Sequence, residues 1–400
     1  MKKNLFISIL FLTIYSCSKD TVETPHVFER GQIVSSSFLA YKTIDDMKLV
    51  FGFLGVQDSV NYQYAVELYK IKYETITPSG EETVASGLIA IPKNINVAVP
   101  LVSFNHGTEL NKLSVPSHLV YNSGFEVGMV FATEGYTVCI PDYLGLGDGV
   151  GLHPYMHAKS EASCTIDMIR AAKEFCKEKS ISLNEQLFLM GYSQGGHASM
   201  ATHKEIEANY TNEFTVTANA SLAGPYDVSG IMTDILFKKE AFPSPIFLPY
   251  VLFSYNSVYG IYSNISSIFK SPYSTTLLPF FDGNHKNTVT DVNNAMPAIP
   301  SDILTDEEYL NLKNKTNTKF IEALKENDLY NWIPVAPIQM CHCDGDITVP
   351  MGNSEKALDY FVSKGVSNAR LINPFASGTH QTCLIPSILA TKRWFASMKE

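Results

Sequence analysis

The sequence predicts an α/β fold: a mainly parallel sheet with helices on both faces, interrupted once by a largely helical insertion. Three observations predict it. From Val97 onward, short apolar runs alternate with helical patterns, the rhythm of strand–helix–strand units. Some of those runs are apolar at consecutive positions, Val97 to Phe104 most plainly, as strands buried on both faces require. The rhythm then stops between Tyr226 and Trp332, in a span rich in Pro, Tyr, Phe, Ser and Asn, and resumes at Val335. A structureless loop of that length does not belong in a compact domain. The span therefore reads as an inserted cap, with most of its aromatic residues forming its own core and the rest facing the sheet edge.

Taken in order, residues 1–16 read as an export signal. Met1-Lys2-Lys3-Asn4 is basic, and Leu5 to Tyr15 is apolar but short for a membrane span. Ile14-Tyr15-Ser16-Cys17 resembles the cleavage site of bacterial lipoprotein signals, with Cys17 as the lipid attachment point. This predicts a lipid anchor to the bacterial cell envelope, at the outer membrane or cell surface; the chain is expected to be a monomer. Residues 17–36 are expected to be a tether, 37–225 the first part of the core, 226–332 the cap and 333–400 the second part.

Ser37 to Gly55 carries a helical stripe of Ala40, Ile44, Met47, Phe51 and Leu54. Ala65 to Tyr73 alternates with period two, and Thr83 to Pro92 returns after the turn at Pro78-Ser79-Gly80-Glu81 to make a hairpin. Val97 to Phe104 is the next strand, Phe125 to Glu134 a helix and Tyr136 to Ile140 a strand. Ala158 to Lys179 is a long helix with Ile166, Ile169 and Ala172 inward. Gln186 to Met190 is a strand, Gly195 to about Ala208 a helix, and Phe214 to Leu222 a strand. Beyond the cap come a strand at Val335 to His342, a helix at Ser354 to Ser363, a strand at Ala369 to Ile372 and a closing helix from Thr382 to Met398.

The chemistry centres on Gly191-Tyr192-Ser193-Gln194-Gly195, a G-x-S-x-G between a strand and a helix. That context is a nucleophile elbow: a tight turn lifts the serine Oγ above the sheet edge, beside free N–H groups at the helix start. The small flanking glycines make room for the turn. A serine hydroxyl needs a base within hydrogen-bond reach and a carboxylate to orient that base. In this fold class the order is serine, acid, histidine. Asp344-Gly345-Asp346 follows a core strand and offers two carboxylates, and His380 is the single histidine after both. Asn105-His106-Gly107-Thr108 ends an earlier strand, where the fold class draws one oxyanion-hole N–H. Thr108 and Gln194, the residue after the serine, are assigned as the two donors. His106 and His153 are expected at the pocket rim, and His197 behind the elbow as a packing residue.

Other chemistries are poorly supported. A formal charge of −10 leaves no nucleic-acid footprint. Cys341-His342-Cys343 alternates along a strand and cannot converge on one metal, and Asp344-Gly345-Asp346 is only a fragment of a calcium loop. Apart from Cys17, the chain holds Cys139, Cys164, Cys176, Cys341, Cys343 and Cys383. Most read as buried thiols, with Cys343 and Cys383 the pair to test for a disulfide because both lie near loops that must converge.

Several segments together resemble the secretory lipase family of α/β-hydrolases, which includes fungal lipase A-type enzymes and bacterial relatives. They are Ala85-Ser86-Gly87-Leu88, Asn105-His106-Gly107-Thr108, Pro141-Asp142-Tyr143-Leu144-Gly145-Leu146-Gly147, His153-Pro154-Tyr155, Gly191 to His197, and Asp346-Ile347-Thr348-Val349-Pro350. The resemblance spans about residues 36–398. It implies hydrolysis of acyl esters, no cofactor and a helical cap before the acid strand. It also separates the two carboxylates, because the family's acid stands three and four residues before a Val-Pro pair, as Asp346 does. The catalytic set is then Ser193, Asp346 and His380. The cap sequence has no usable match, so chain-length preference does not carry over. The alternatives are a peptidase or carbohydrate-ester deacetylase with the same three residues, or a surface binding lipoprotein that no longer catalyses.

Overall fold

The computed structural model describes residues 27–281, 283 and 286–400; the leader at 1–16 and Cys17 lie outside them. In chain order the strands are β1 (Ile33–Lys42), β2 (Val66–Ile76), β3 (Glu82–Pro92), β4 (Val99–Asn105), β5 (Thr137–Pro141), β6 (Leu183–Tyr192), β7 (Val216–Leu222), β8 (Ile338–Cys341) and β9 (Ala369–Ile372). They form one nine-stranded sheet in the order β1-β2-β3-β5-β4-β6-β7-β8-β9. The first three strands and the β3–β5 junction are antiparallel. From β5 to β9 the neighbours run parallel. The strand order reverses around β4, and ligands of open α/β sheets bind outside the carboxyl ends of strands at such a point.

Helices α1 (Ile44–Phe53) and α2 (Phe125–Thr133) cover one face; α3 (Ala158–Glu178) and α4 (Gln194–Asn209) cover the other. Strand β6 shows why its sequence is apolar at consecutive positions. Phe188 and Met190 join the cluster with Met47, Phe51 and Met129, whereas Leu187 and Leu189 join Ile166, Ile169 and Ala172 of α3. Both sides of the strand are thereby removed from water. Cys139, Cys164, Cys176 and Cys341 are buried thiols that fill these layers.

The start of the chain differs from expectation. The sequence pattern ends the tether at residue 36 and begins a helix at Ser37. Instead Glu29 N–H donates to Glu74 Oε2 at 2.7 Å, and Arg30 Nε donates to the buried carboxylate of Asp167 at 3.1 Å. Residues 33–42 then pair antiparallel with β2. The backbone of β2 presents a row of N–H and C=O groups that a further strand satisfies, and this outweighs a helical apolar stripe. The helix starts only at Ile44, where Thr43 and Asp46 form a capping box, and Met47 and Phe51 are its buried residues.

Between β7 and β8 the chain forms α5 (Thr233–Leu236), α6 (Phe247–Tyr259), α7 (Tyr273–Thr276), α8 (Val289–Ala295), α9 (Asp306–Lys313) and α10 (Thr318–Glu326). They share a hydrophobic cluster of their own, which Leu110, Leu152, Tyr155 and Met156 of the core join. Tyr250, Phe253 and Tyr255 are buried inside it, and Tyr250 stacks on Tyr155 with centroids 4.2 Å apart. The two ends of the insertion meet. Leu329 N–H donates to Tyr226 O at 2.9 Å, and Ser229 Oγ–H donates to Asp328 Oδ2 at 2.6 Å. The core resumes with β8, α11 (Gly352–Ser363), β9 and α12 (His380–Ala396). Among the described residues no helix is long and apolar enough to cross a membrane.

Candidate active site

Ser193 stands between the end of β6 and the start of α4, with φ 60° and ψ −121°. A non-glycine residue in that region stores strain that its surroundings must hold in place. The glycines around it serve close approach. A Cβ on Gly191 would lie 2.1 Å from Gly195 O, one on Gly195 1.9 Å from Asn105 O, and one on Gly196 2.4 Å from Leu222 O. The strain thus sits on the serine and the room comes from its neighbours. Ser193 N–H donates to Leu222 O at 2.9 Å, tying the turn to β7.

The structure brings Ser193, His380 and Asp346 together. Ser193 Oγ lies 2.8 Å from His380 Nε2, and His380 Nδ1–H donates to Asp346 Oδ2 at 2.5 Å. The other carboxylate oxygen, Oδ1, accepts Thr348 N–H at 2.9 Å and Val349 N–H at 2.8 Å. Burial pushes the Asp346 carboxyl up. Hydrogen bonds from His342 and His380, the charge of His380 and the Val349 N–H outweigh it and hold the group down at about 2. His380 does not precede the closing helix, which the sequence pattern starts at Thr382, but is the first residue of α12. Thr379 caps that helix in a capping box with Thr382, which moves its start two residues earlier. Tyr192 O–H donates to His380 O at 2.5 Å and steadies the same turn. Cys343 and Cys383 form a disulfide, three residues before Asp346 and three after His380, so the acid loop and the histidine helix are joined covalently. Asp344 is exposed, points away from this line and accepts Ser377 N–H at 2.6 Å.

Thr108 follows the His106-Gly107 turn after β4, and its Oγ1 lies 3.1 Å from Tyr155 Oη. Gln194 is the first residue of α4, so its N–H is one of those with no partner inside the helix. Its side chain is pinned: Nε2 lies 2.9 Å from Glu161 Oε1 and 2.7 Å from His153 Nε2. His106 and His153 are not at a rim but buried beneath the site, because the Pro141–Gly147 loop folds over them. His106 packs on Tyr143 at 4.4 Å, and His153 Nδ1–H donates to Leu144 O at 2.9 Å. Burial lowers both imidazoles, His153 to about 4, so both are neutral near pH 7. His197 lies behind the elbow as expected, between Glu161 Oε2 at 2.6 Å and Asn327 O at 3.0 Å. Glu161 was not singled out from the sequence. Its signal is a carboxylate on the buried face of α3, one turn before Thr165 and two before Met168.

Ser193 borders an apolar cavity lined mainly by Met232, Leu236, Phe237, Phe247, Leu248 and Val251 of the insertion. Of the cap aromatics, Phe237, Phe247 and Phe320 reach this cavity, whereas Tyr250 and Phe253 belong to the cap interior. Among the described residues no group of three or more His, Cys, Asp or Glu is arranged to hold a metal ion. His342 is instead a structural residue: Nε2–H donates to Val349 O at 2.7 Å, and Nδ1 faces Ser354 Oγ at 2.8 Å.

Comparison with known proteins bears on the family and the fold. The secretory lipase family profile matches residues 123–397. No curated protein matches the chain significantly. Among solved structures, the rice cell wall degrading esterase LipA from Xanthomonas oryzae is 27% identical with a TM-score of 0.83, over 93% of this chain and 100% of that one. A protein of Legionella pneumophila is also 27% identical with a TM-score of 0.83, over 92% of this chain and 98% of its own. Candida antarctica lipase A, in its closed state, is alike in fold alone, with 16% identity and a TM-score of 0.69 over 93% of this chain and 83% of that one. With the family match spanning well over half of its length and its sheet shared with these structures, the chain belongs to the secretory lipase family and is a carboxylic ester hydrolase of the α/β-hydrolase fold.

Proposed function

We propose that Ser193, His380 and Asp346 act as a catalytic triad that cleaves acyl esters through an acyl-enzyme, with the acyl chain held under the cap. The observation that carries this reading is the hydrogen-bonded line from Asp346 through His380 to Ser193, opening on an apolar cavity. Ser193 Oγ attacks the ester carbonyl as His380 Nε2 takes its proton. Asp346, ionised because its carboxyl is held at about 2, keeps the proton of Nδ1 in place and balances the imidazolium that forms. The N–H groups of Thr108 and Gln194 stabilise the oxyanion, a contact worth roughly 3 kcal/mol per donor. His380 then protonates the leaving alcohol, and water repeats the sequence on the acyl-enzyme. No cofactor is needed. The apolar lining favours an acyl chain over a peptide or a sugar acetate.

A lipid anchor on Cys17 is part of the same proposal. It rests on the basic start, the short apolar run and the lipobox-like Ile14 to Cys17, and it assigns the enzyme to the cell envelope. The test of the chemistry combines two measurements. A fluorophosphonate should label Ser193 alone, and Ser193→Ala should lower hydrolysis by about 10⁴-fold or more across a p-nitrophenyl ester series. Activity within about tenfold of wild type, or turnover of aminoacyl anilides with none of esters, overturns it.

A further inference from the structure

Behind the proposed oxyanion hole lies a buried polar chain that the steps above do not use. Glu161 of α3 is 1% exposed, with both carboxylate oxygens engaged. Oε1 accepts Gln194 Nε2–H at 2.9 Å, and Oε2 accepts His197 Nδ1–H at 2.6 Å. His153 completes the clamp. Its Nδ1 must carry the proton given to Leu144 O, so its Nε2 is an acceptor for the second Gln194 amide hydrogen at 2.7 Å. Both Gln194 amide hydrogens are thereby fixed, while Gln194 Oε1 is buried with no hydrogen-bond partner among the described residues. An orphaned buried acceptor costs about 1–3 kcal/mol, and turning the amide would place its oxygen against the Glu161 carboxylate. The chain continues outward. His197 Nε2 lies 3.0 Å from Asn327 O, and Asn327 Oδ1 accepts Ala158 N–H at 2.7 Å where the insertion rejoins the core.

We propose that Glu161 is a positioning residue: by clamping the Gln194 side chain it holds the Gln194 main-chain N–H on the oxyanion, and through His197 it ties that donor to the neck of the cap. This rests on the reading of Gln194 N–H as an oxyanion donor. A residue that merely packs would not discriminate between oxygen and sulfur at the reacting carbonyl. Thionoesters put a longer, weakly accepting sulfur where the oxyanion forms, so the ratio of kcat/KM for an ester to that for its thionoester reports the N–H contact itself.

The experiment measures that ratio in wild type, Glu161→Met and Gln194→Met, with thermal melts beside it. Glu161→Met keeps the length of the side chain and removes both acceptors; Gln194→Met keeps the main-chain N–H and removes the clamp. The expected result is a large ratio in wild type, falling about 10- to 100-fold in both variants through kcat, with KM within about threefold. If the wild-type ratio is near one, the oxyanion assignment falls and this inference with it. If the wild-type ratio is large and either folded variant keeps it within twofold, the oxyanion assignment stands and Glu161 has no positioning role. Should Glu161→Met fail to fold, Gln194→Met decides alone.

Discussion

Asp346→Asn and Asp344→Asn remove the same charge two residues apart, and the structure predicts very different outcomes. Asp346 Oδ1 accepts two main-chain N–H groups, from Thr348 and Val349. An asparagine there must keep its oxygen on those donors, since turning it would set its NH₂ against both and forfeit about 1 kcal/mol or more for each bond. Its NH₂ then faces His380 Nδ1, where a carboxylate now sits at 2.5 Å. That nitrogen becomes an acceptor, the imidazole proton moves to Nε2, and Nε2 can no longer take the proton of Ser193. The same swap in the serine-protease precedent costs about 10⁴ in turnover, or roughly 5.5 kcal/mol of barrier. Asp344 is exposed, and its one described main-chain bond, to Ser377 N–H, is a bond an asparagine oxygen also makes. Its turnover should fall several-fold at most. The assay is kcat on one short p-nitrophenyl ester for both purified variants, with melts to confirm folding. A dead Asp344 variant beside a near-wild-type Asp346 variant would refute the acid assignment and the tautomer argument together.

Three further outcomes are expected. Glu109 follows Thr108, is half-buried, and burial pushes its carboxyl up from 4.5 to about 8. The unfolded chain ionises first as pH rises, so this group costs stability increasingly from about pH 4.5 to about pH 8; Glu109→Gln should match wild type at pH 4 and melt higher at pH 8.5, by roughly 1–2 kcal/mol after discounting for partial exposure. A constant difference across that range contradicts the assignment. Replacing Cys343 and Cys383 by Ala opens a loop of 40 residues, worth about 4 kcal/mol of chain entropy, or a melting-point drop of roughly 5 °C for a domain of this size; a shift under 1 °C counts against it. Leu236→Trp should fill the cavity and cut kcat/KM on palmitate by about tenfold or more while sparing acetate, and equal losses on both esters would remove the acyl chain from this cavity.

What was legible in the sequence is what is local. The elbow needs a strand, five residues and a helix, all contiguous, and the order of serine, acid and histidine left a single histidine to choose. Apolar runs for β4 and β6 could be read because burial on both faces leaves a direct compositional trace. Strand β1 could not. Its stretch Ile33-Val34-Ser35-Ser36-Ser37-Phe38-Leu39-Ala40 is compatible with either period, and its state is decided by the backbone of β2, some thirty residues on. His106 and His153 were misplaced for a related reason: sequence puts them near the sheet edge, but whether they see solvent depends on the loop that folds over them. Glu161 escaped notice because its partner Gln194 lies 33 residues away on another helix. The cap aromatics divide between interior and cavity by the way α6 is rotated, and composition carries no record of that rotation.

The closed neck of the insertion has a consequence for how such an enzyme can diversify. Strands β7 and β8 are neighbours although the chain between them runs from Leu222 to Ile338. Lengthening a connection from a dozen residues to more than a hundred adds only about 2 kcal/mol of loop-closure cost. Here the inserted residues have a hydrophobic cluster of their own, and the Tyr226–Leu329 bond brings their ends to adjacent points on the core. The sheet therefore registers little of what lies beyond the neck. Changes beyond the neck can reshape the cavity without requiring matching changes in the strands that carry Ser193 and Asp346.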